Sequence, residues 1–137
     1  MERIDCVLAI DPGTVKCGLA VVHRDEPQPR FCCIVPVGAW ALEASALVAT
    51  FAPQQILLGS GTASKAFAEL LGPCGVPVEI VNEYGSTLAA RARYFVAHPP
   101  RGWRRFLPAG LRVPPVPIDD WAAVVLAERF FAASAGM

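Results

Sequence analysis

The sequence predicts an α/β domain on a mixed five-stranded sheet, with three antiparallel strands followed by parallel αβαβ units and flanking helices. Three observations predict it. Apolar runs at 5–11 (DCVLAID), 16–23 (KCGLAVVH) and 31–37 (FCCIVPV) crowd the start of the chain. Their links are shorter than the dozen or so residues a parallel crossover needs, so these strands pair antiparallel. The period then changes, and short apolar runs at 54–59 (QQILLG) and 77–82 (PVEIVN) alternate with helical segments. The chain has 137 residues, of which 54% are hydrophobic and 18% charged, enough to bury one core. One domain over 1–137 follows, and disorder is excluded.

Each element has its local reason. The first two strands are joined by Asp-Pro-Gly, in which Pro fixes φ and Gly supplies the freedom a tight reversal needs. The polar RDEPQPR separates the second strand from the third. WALEASALVATF reads as a helix, and ASKAFAELLG as another that closes on Gly72 as its C-cap. In GSTLAARARYFVA, Leu88, Ala92 and Phe95 recur at helical spacing. A loop rich in Pro, Gly and Arg spans 98–117, and DDWAAVVLAERFFAASA forms the last helix.

Composition excludes several classes. No apolar run approaches the roughly 18 residues of a membrane span, and the N-terminal MERID has no basic region followed by a cleavage site. A cytoplasmic protein is expected. The five cysteines lack C-x-x-C spacing and sit mostly in apolar runs, so they read as reduced core residues. Net charge is zero, yet no acid lies between Glu83 and Asp119, a stretch holding Arg91, Arg93, Arg101, Arg104, Arg105 and Arg112. That segregation presents a local positive field to phosphates. Arg91, Arg101, Arg104 and Arg105, with Lys16 and Lys65, are the candidate nucleic-acid contacts. GSGTASK offers Thr62, Ser64 and Lys65 as a phosphate cradle at a helix start, and Trp103 as drawn from RGWRR is a candidate base-stacking ring.

The acids fall where such a sheet gathers its sites. Asp11 ends the first strand, Glu83 follows the last, and Asp119 and Asp120 open the final helix. Parallel strands finish on one edge, outside which sites form, so Asp11 and Glu83 are expected together, with Asp119 or Asp120 brought to them. Each has a plainer role: Asp11 in a turn, Glu83 as a solvated loop acid, Asp119 as a helix N-cap, Asp120 as a dipole partner. Together they make the oxygen-rich cluster that Mg²⁺ or Mn²⁺ requires, and a pair of such ions hydrolyses phosphodiesters. No G-x-S-x-G or H-E-x-x-H motif competes.

Residues 8–22, LAIDPGTVKCGLAVV, look like the opening strand pair of the RuvC and YqgF/RuvX branch of ribonuclease H-like nucleases. NEYGSTLAARARYF resembles that branch's Asp-Glu-Arg-x-Ser/Thr-Thr segment, and IDDWAAVVLAERFF its closing Asp-x-x-Ala-Ala helix. The resemblance spans nearly the whole chain. It implies a ribonuclease H-like fold and a metal-dependent nuclease, with Asp11, Glu83 and Asp119 catalytic and metal-binding and Asp120 an additional ligand candidate. It also implies two Mg²⁺ or Mn²⁺ ions and a substrate that is a DNA junction or structured RNA, as in Holliday junction resolution or processing of the small-subunit ribosomal RNA precursor. Asn82 and Tyr84 depart from the flanking acid and base of that segment, which shifts phosphate contacts toward Arg91 and the downstream arginines.

A resolvase would work as a two-fold homodimer, since a junction needs two symmetric cuts, whereas RNA trimming suits a monomer. Two further classes remain. One is a non-catalytic nucleic-acid-binding or ribosome-assembly module on the same fold. The other is an actin-like kinase or ATPase, which uses a similar Asp-x-Gly-Thr turn but closes two such domains over its nucleotide.

Overall fold

The computed structural model describes residues 3–61, 64–100, 102, 106–108, 114 and 116–135. Five strands, β1 (Cys6–Asp11), β2 (Lys16–His23), β3 (Phe31–Pro36), β4 (Gln55–Gly59) and β5 (Val78–Val81), form one sheet in the order β3-β2-β1-β4-β5. The first three pair antiparallel, and β4 and β5 add in parallel on the far side of β1. The described residues include four α-helices: α1 (Trp40–Phe51), α2 (Ser64–Leu71), α3 (Ser86–Ala97) and α4 (Asp119–Ala135).

Alternation along the strands feeds two cores. Val7, Ala9, Ala20, Val22 and Leu57 face α3 and α4, whereas Leu8, Ile10, Leu19, Val21, Ile56 and Leu58 face α1 and α2. The α4 face is lined by small residues, Ala9 and Ala20 from the sheet and Ala122, Ala123 and Ala127 from the helix, so α4 packs close. Residues 121–127 are buried without a break, because α4 lies between the sheet and α3. On the opposite face Trp40 stacks on Phe67, centroids 4.3 Å apart, and ties α1 to α2.

The helix end expected at Gly72 falls differently. α2 stops at Leu71, Gly72–Cys74 form a 3₁₀ turn around Pro73, and the left-handed cap is Gly75 at φ 72°. Pro73 cannot donate to the α-helical ladder, so the chain tightens before it turns. None of the five cysteines is in a disulfide. Among the described residues no helix is long and apolar enough to cross a membrane.

Candidate active site

One edge of the sheet collects the strand ends that carry the acids. β1 finishes there on Asp11, β2 starts on Lys16, β4 ends on Gly59, and Glu83 lies two residues past β5. The start of α4 reaches the same edge because of Gly18. This glycine is paired with Asp11 across β1 and β2, and a Cβ on it would overlap the Asp119 carbonyl and the Asp120 amide. A bare backbone at Gly18 lets α4 descend onto the sheet beside Asp11.

Glu83 reaches over β4 for a similar reason. A Cβ on Gly59 would sit 2.5 Å from Glu83 Oε2, so the carboxylate fills the space that a side chain at the end of β4 would take. The loop that carries Glu83 is held at several points. Asn82 Oδ1 accepts from the Tyr84 amide at 2.9 Å, the Glu83 carbonyl accepts from the Ser86 amide at 3.0 Å, and Arg129 Nη1 donates to the Tyr84 carbonyl at 2.9 Å. Gly85, at φ 70°, then turns the chain into α3. Gly59→Ala is expected to displace a flexible carboxylate rather than backbone. Stability should fall by less than about 1 kcal/mol while Glu83 is pushed from its place beside Asp11, and urea melts beside Mn²⁺ titrations will show the split.

Asp11 is the electrostatic centre of the group. Its carboxyl is pushed up to about 7, first by burial, then by a hydrogen bond with the Glu83 side chain, then by the negative charges of Glu83 and Asp119. Near neutral pH the metal-free protein is therefore divided between Asp11 protonated, hydrogen-bonded to the Glu83 side chain, and Asp11 ionised. Asp119 is balanced by Lys16, whose Nζ lies 3.3 Å from Oδ2. Between Asp11 and Asp119 opens a cleft of about 80 Å³ with Thr87, Ala90 and Ala122 in its walls.

Asp120 takes another direction. Its Oδ1 accepts from the Trp121 amide at 3.0 Å, and its carboxylate hydrogen-bonds Cys32 on β3, whose thiol burial and that charge push up to about 12. Asp119 is the first residue of α4 and faces the cleft. The edge thus gathers Asp11, Glu83, Asp119 and Lys16, and leaves Asp120 outside.

Three carboxylates with one ammonium among them make a donor set suited to a hard divalent cation. Among the described residues, no three His, Cys, Asp or Glu side chains converge tightly enough to hold an ion as they stand. Asp11 is bonded to Glu83, and Asp119 to Lys16. Cation binding would displace any proton on Asp11 and draw Asp119 from the ammonium.

Of the other sequence candidates, Lys65 is exposed near the start of α2 and Arg91 half-buried on α3. Arg93 is structural: it pairs with Glu128 at 3.0 Å, donates to the Pro27 carbonyl at 2.6 Å and lies 5.2 Å over the Trp121 ring. Arg101, Arg104, Arg105, Arg112, Trp103 and Thr62 lie outside the described residues. Gly18 and Gly59 escaped the sequence reading, although a glycine inside or ending an apolar strand signals close backbone approach.

Sheet order and helix placement are those of the ribonuclease H-like α/β fold that RuvC has. The chain is similar to Thermus thermophilus RuvC, with a TM-score of 0.64 and 19% identity over 96% of this chain and 97% of that one. It is equally similar to T. thermophilus RuvC in complex with Holliday junction substrate, with a TM-score of 0.63 and 20% identity over 96% of each chain. No family model and no curated protein matches the sequence.

Proposed function

We propose that this chain is a cytoplasmic, divalent-metal-dependent nuclease of the YqgF/RuvX type. Its substrate is structured nucleic acid, a four-way DNA junction or a folded RNA such as the small-subunit ribosomal RNA precursor. The observation that carries this reading is the meeting of Asp11 at the end of β1, Glu83 in the loop after β5 and Asp119 at the start of α4, with Asp11 raised to about 7 by burial and by the other two. A cluster so short of positive charge is a cation site in waiting. The RuvC relative bound to a Holliday junction supports the substrate class.

Asp11, Glu83 and Asp119 would hold Mg²⁺ or Mn²⁺, one ion or a pair. When bound, such ions activate water and stabilise the leaving oxygen in an in-line attack on phosphorus. Asp11 gives up its proton as the site loads. Lys16, released from Asp119, is placed to meet a substrate phosphate at the same edge, and Arg91 on α3 and Lys65 near the start of α2 are further candidate contacts. The purified protein with Mn²⁺ should cut at least one member of a panel of four-way junction, duplex, single-stranded DNA and structured RNA. No cleavage of any member would overturn the nuclease reading.

The second reading is a non-catalytic nucleic-acid-binding or assembly module. It is favoured by the internal pairing of the acids, Asp11 with Glu83 and Asp119 with Lys16. Binding without cleavage on the same panel would select it.

The two adjacent acids of α4 give a sharp comparison. Asp119→Asn should abolish cleavage while changing metal-free stability by less than about 1 kcal/mol: Ile118, whose carbonyl accepts from the Ala122 amide, holds the N-cap position expected for Asp119, and the substitution loses only the part-exposed ion pair with Lys16. Asp120→Asn should be mild, costing a few tenths of a kcal/mol to about 1 through the helix dipole. An inactive Asp120→Asn beside a near-normal Asp119→Asn would reverse the assignment.

A further inference from the structure

Beside the acids lies a larger cavity, of about 400 Å³. Pro12 and Thr14 from the turn after Asp11, Val37 just past β3, Phe67 of α2 and Glu83 line it. Glu83 is a partition, bonded to Asp11 on one side and facing this cavity on the other. Phe67 is 5% exposed and stacked on Trp40 at 17° between planes, so the aromatic wall is rigid.

The lining selects its occupant. A phosphate would bring its charge against the like charge of Glu83 and the apolar surface of Pro12, Val37 and Phe67, with only the Thr14 hydroxyl and the backbone of Gly13 and Gly61 to offset it. A flat heterocycle has apolar faces for those walls and edge N–H donors for Glu83 and the Thr14 hydroxyl. The volume holds a base together with part of its sugar. The shared partition also requires the occupant to belong to the molecule that brings a phosphodiester to the acids.

We propose that this cavity receives an unstacked nucleobase of the substrate strand, next to the phosphodiester presented to Asp11, Glu83 and Asp119. The proposal rests on the nuclease reading and adds a selection rule to it. A base inside a continuous duplex reaches the cavity only after unpairing and unstacking, whereas an unpaired, mismatched or junction-centre base starts close to that state. The protein therefore favours strands with bases already free of the helix.

The test is made without metal, in EDTA, so that binding is read apart from cleavage. Four-way junctions and single strands carry 2-aminopurine at successive positions, and both fluorescence and anisotropy are followed. The wild-type protein should change the emission of one position well beyond its neighbours. Val37→Trp, which fills the cavity from an open wall while keeping the amide bond from residue 37 to the Val15 carbonyl, should erase that signal and weaken binding about ten-fold. Val37→Ala should preserve both. Thr14→Phe narrows the cavity from the facing turn and serves where Val37→Trp does not fold. Oligonucleotides that bind with no position-dependent signal, or that bind the filled variants as tightly as wild type, would overturn the base pocket and leave the nucleic-acid reading standing. Failure of every oligonucleotide to bind would overturn that reading as well.

Discussion

Asp11→Asn is expected to abolish metal-dependent cleavage and, in the absence of metal, to make the folded protein more stable. Both effects come from the same carboxylate. Asp11 is shared by the β1 terminus, the Glu83 hydrogen bond and the cleft facing Asp119, and an amide in its place keeps the shape but cannot neutralise a divalent cation. The stability gain follows from proton linkage. In the unfolded chain Asp11 ionises near 3.8, and in the folded protein near 7. Below the lower value it is protonated in both states and costs nothing. Between the two, the unfolded chain releases a proton that the folded protein retains, so stability falls as pH rises; above 7 the penalty is complete. Because the group is partly open to water, the penalty is about 1–2 kcal/mol. Asp11→Asn should therefore raise the metal-free melting temperature at pH 8 and leave it nearly unchanged at pH 4. Wild-type Mn²⁺ affinity should climb from pH 5 to pH 8 as the proton becomes easier to displace. Full activity of the Asn variant would remove Asp11 from the mechanism, and a lower melting temperature at pH 8 would show that its burial is compensated elsewhere.

Gly18→Ala should have the largest effect on folding. The added methyl meets the Asp119 carbonyl and the Asp120 amide. These are backbone atoms at the start of a helix whose next seven residues are buried, so they have nowhere to retreat. Forcing α4 off the sheet opens the core formed with Ala9, Ala20, Ala122 and Ala123, at a cost of about 3 kcal/mol or more. It also moves Asp119 away from Asp11. A large fall in the urea midpoint with loss of cleavage is the expected pair of results. Gly38→Ala is the control, because a Cβ there meets nothing within 4 Å, and it should stay within about 0.5 kcal/mol of wild type. Equal behaviour of the two variants would mean that α4 docks more loosely than the close approach at Gly18 implies.

The same contrast separates what was legible in the chain from what was not. Short links between the first three apolar runs require antiparallel pairing, and the later alternation of helical and apolar segments requires parallel additions; the observed sheet has both. Period and link length are local quantities, which a sequence carries explicitly. The place of Asp11 at a strand end and of Glu83 just past another was equally local, and parallel strands finishing together made a shared edge readable in advance.

The partners of the site were not local. That Asp119 faces the cleft while Asp120 turns to Cys32 depends on how α4 is rotated over the sheet, and that rotation is set by Ala-lined contacts and by the bare backbone of Gly18 far back in the chain. Lys16 read as a phosphate contact and is found on Asp119, while Arg93, within the basic segment, is drawn into Glu128 and the Pro27 carbonyl. A residue type declares its charge, but which opposite charge it meets is decided when distant segments pack. The chain by itself determined the sheet, its carboxylate edge and the kind of chemistry that edge can hold. Tertiary packing decided which acids meet and which cation balances them, because those outcomes turn on ångström clearances between residues such as Gly18 and Asp119, a hundred positions apart in the chain.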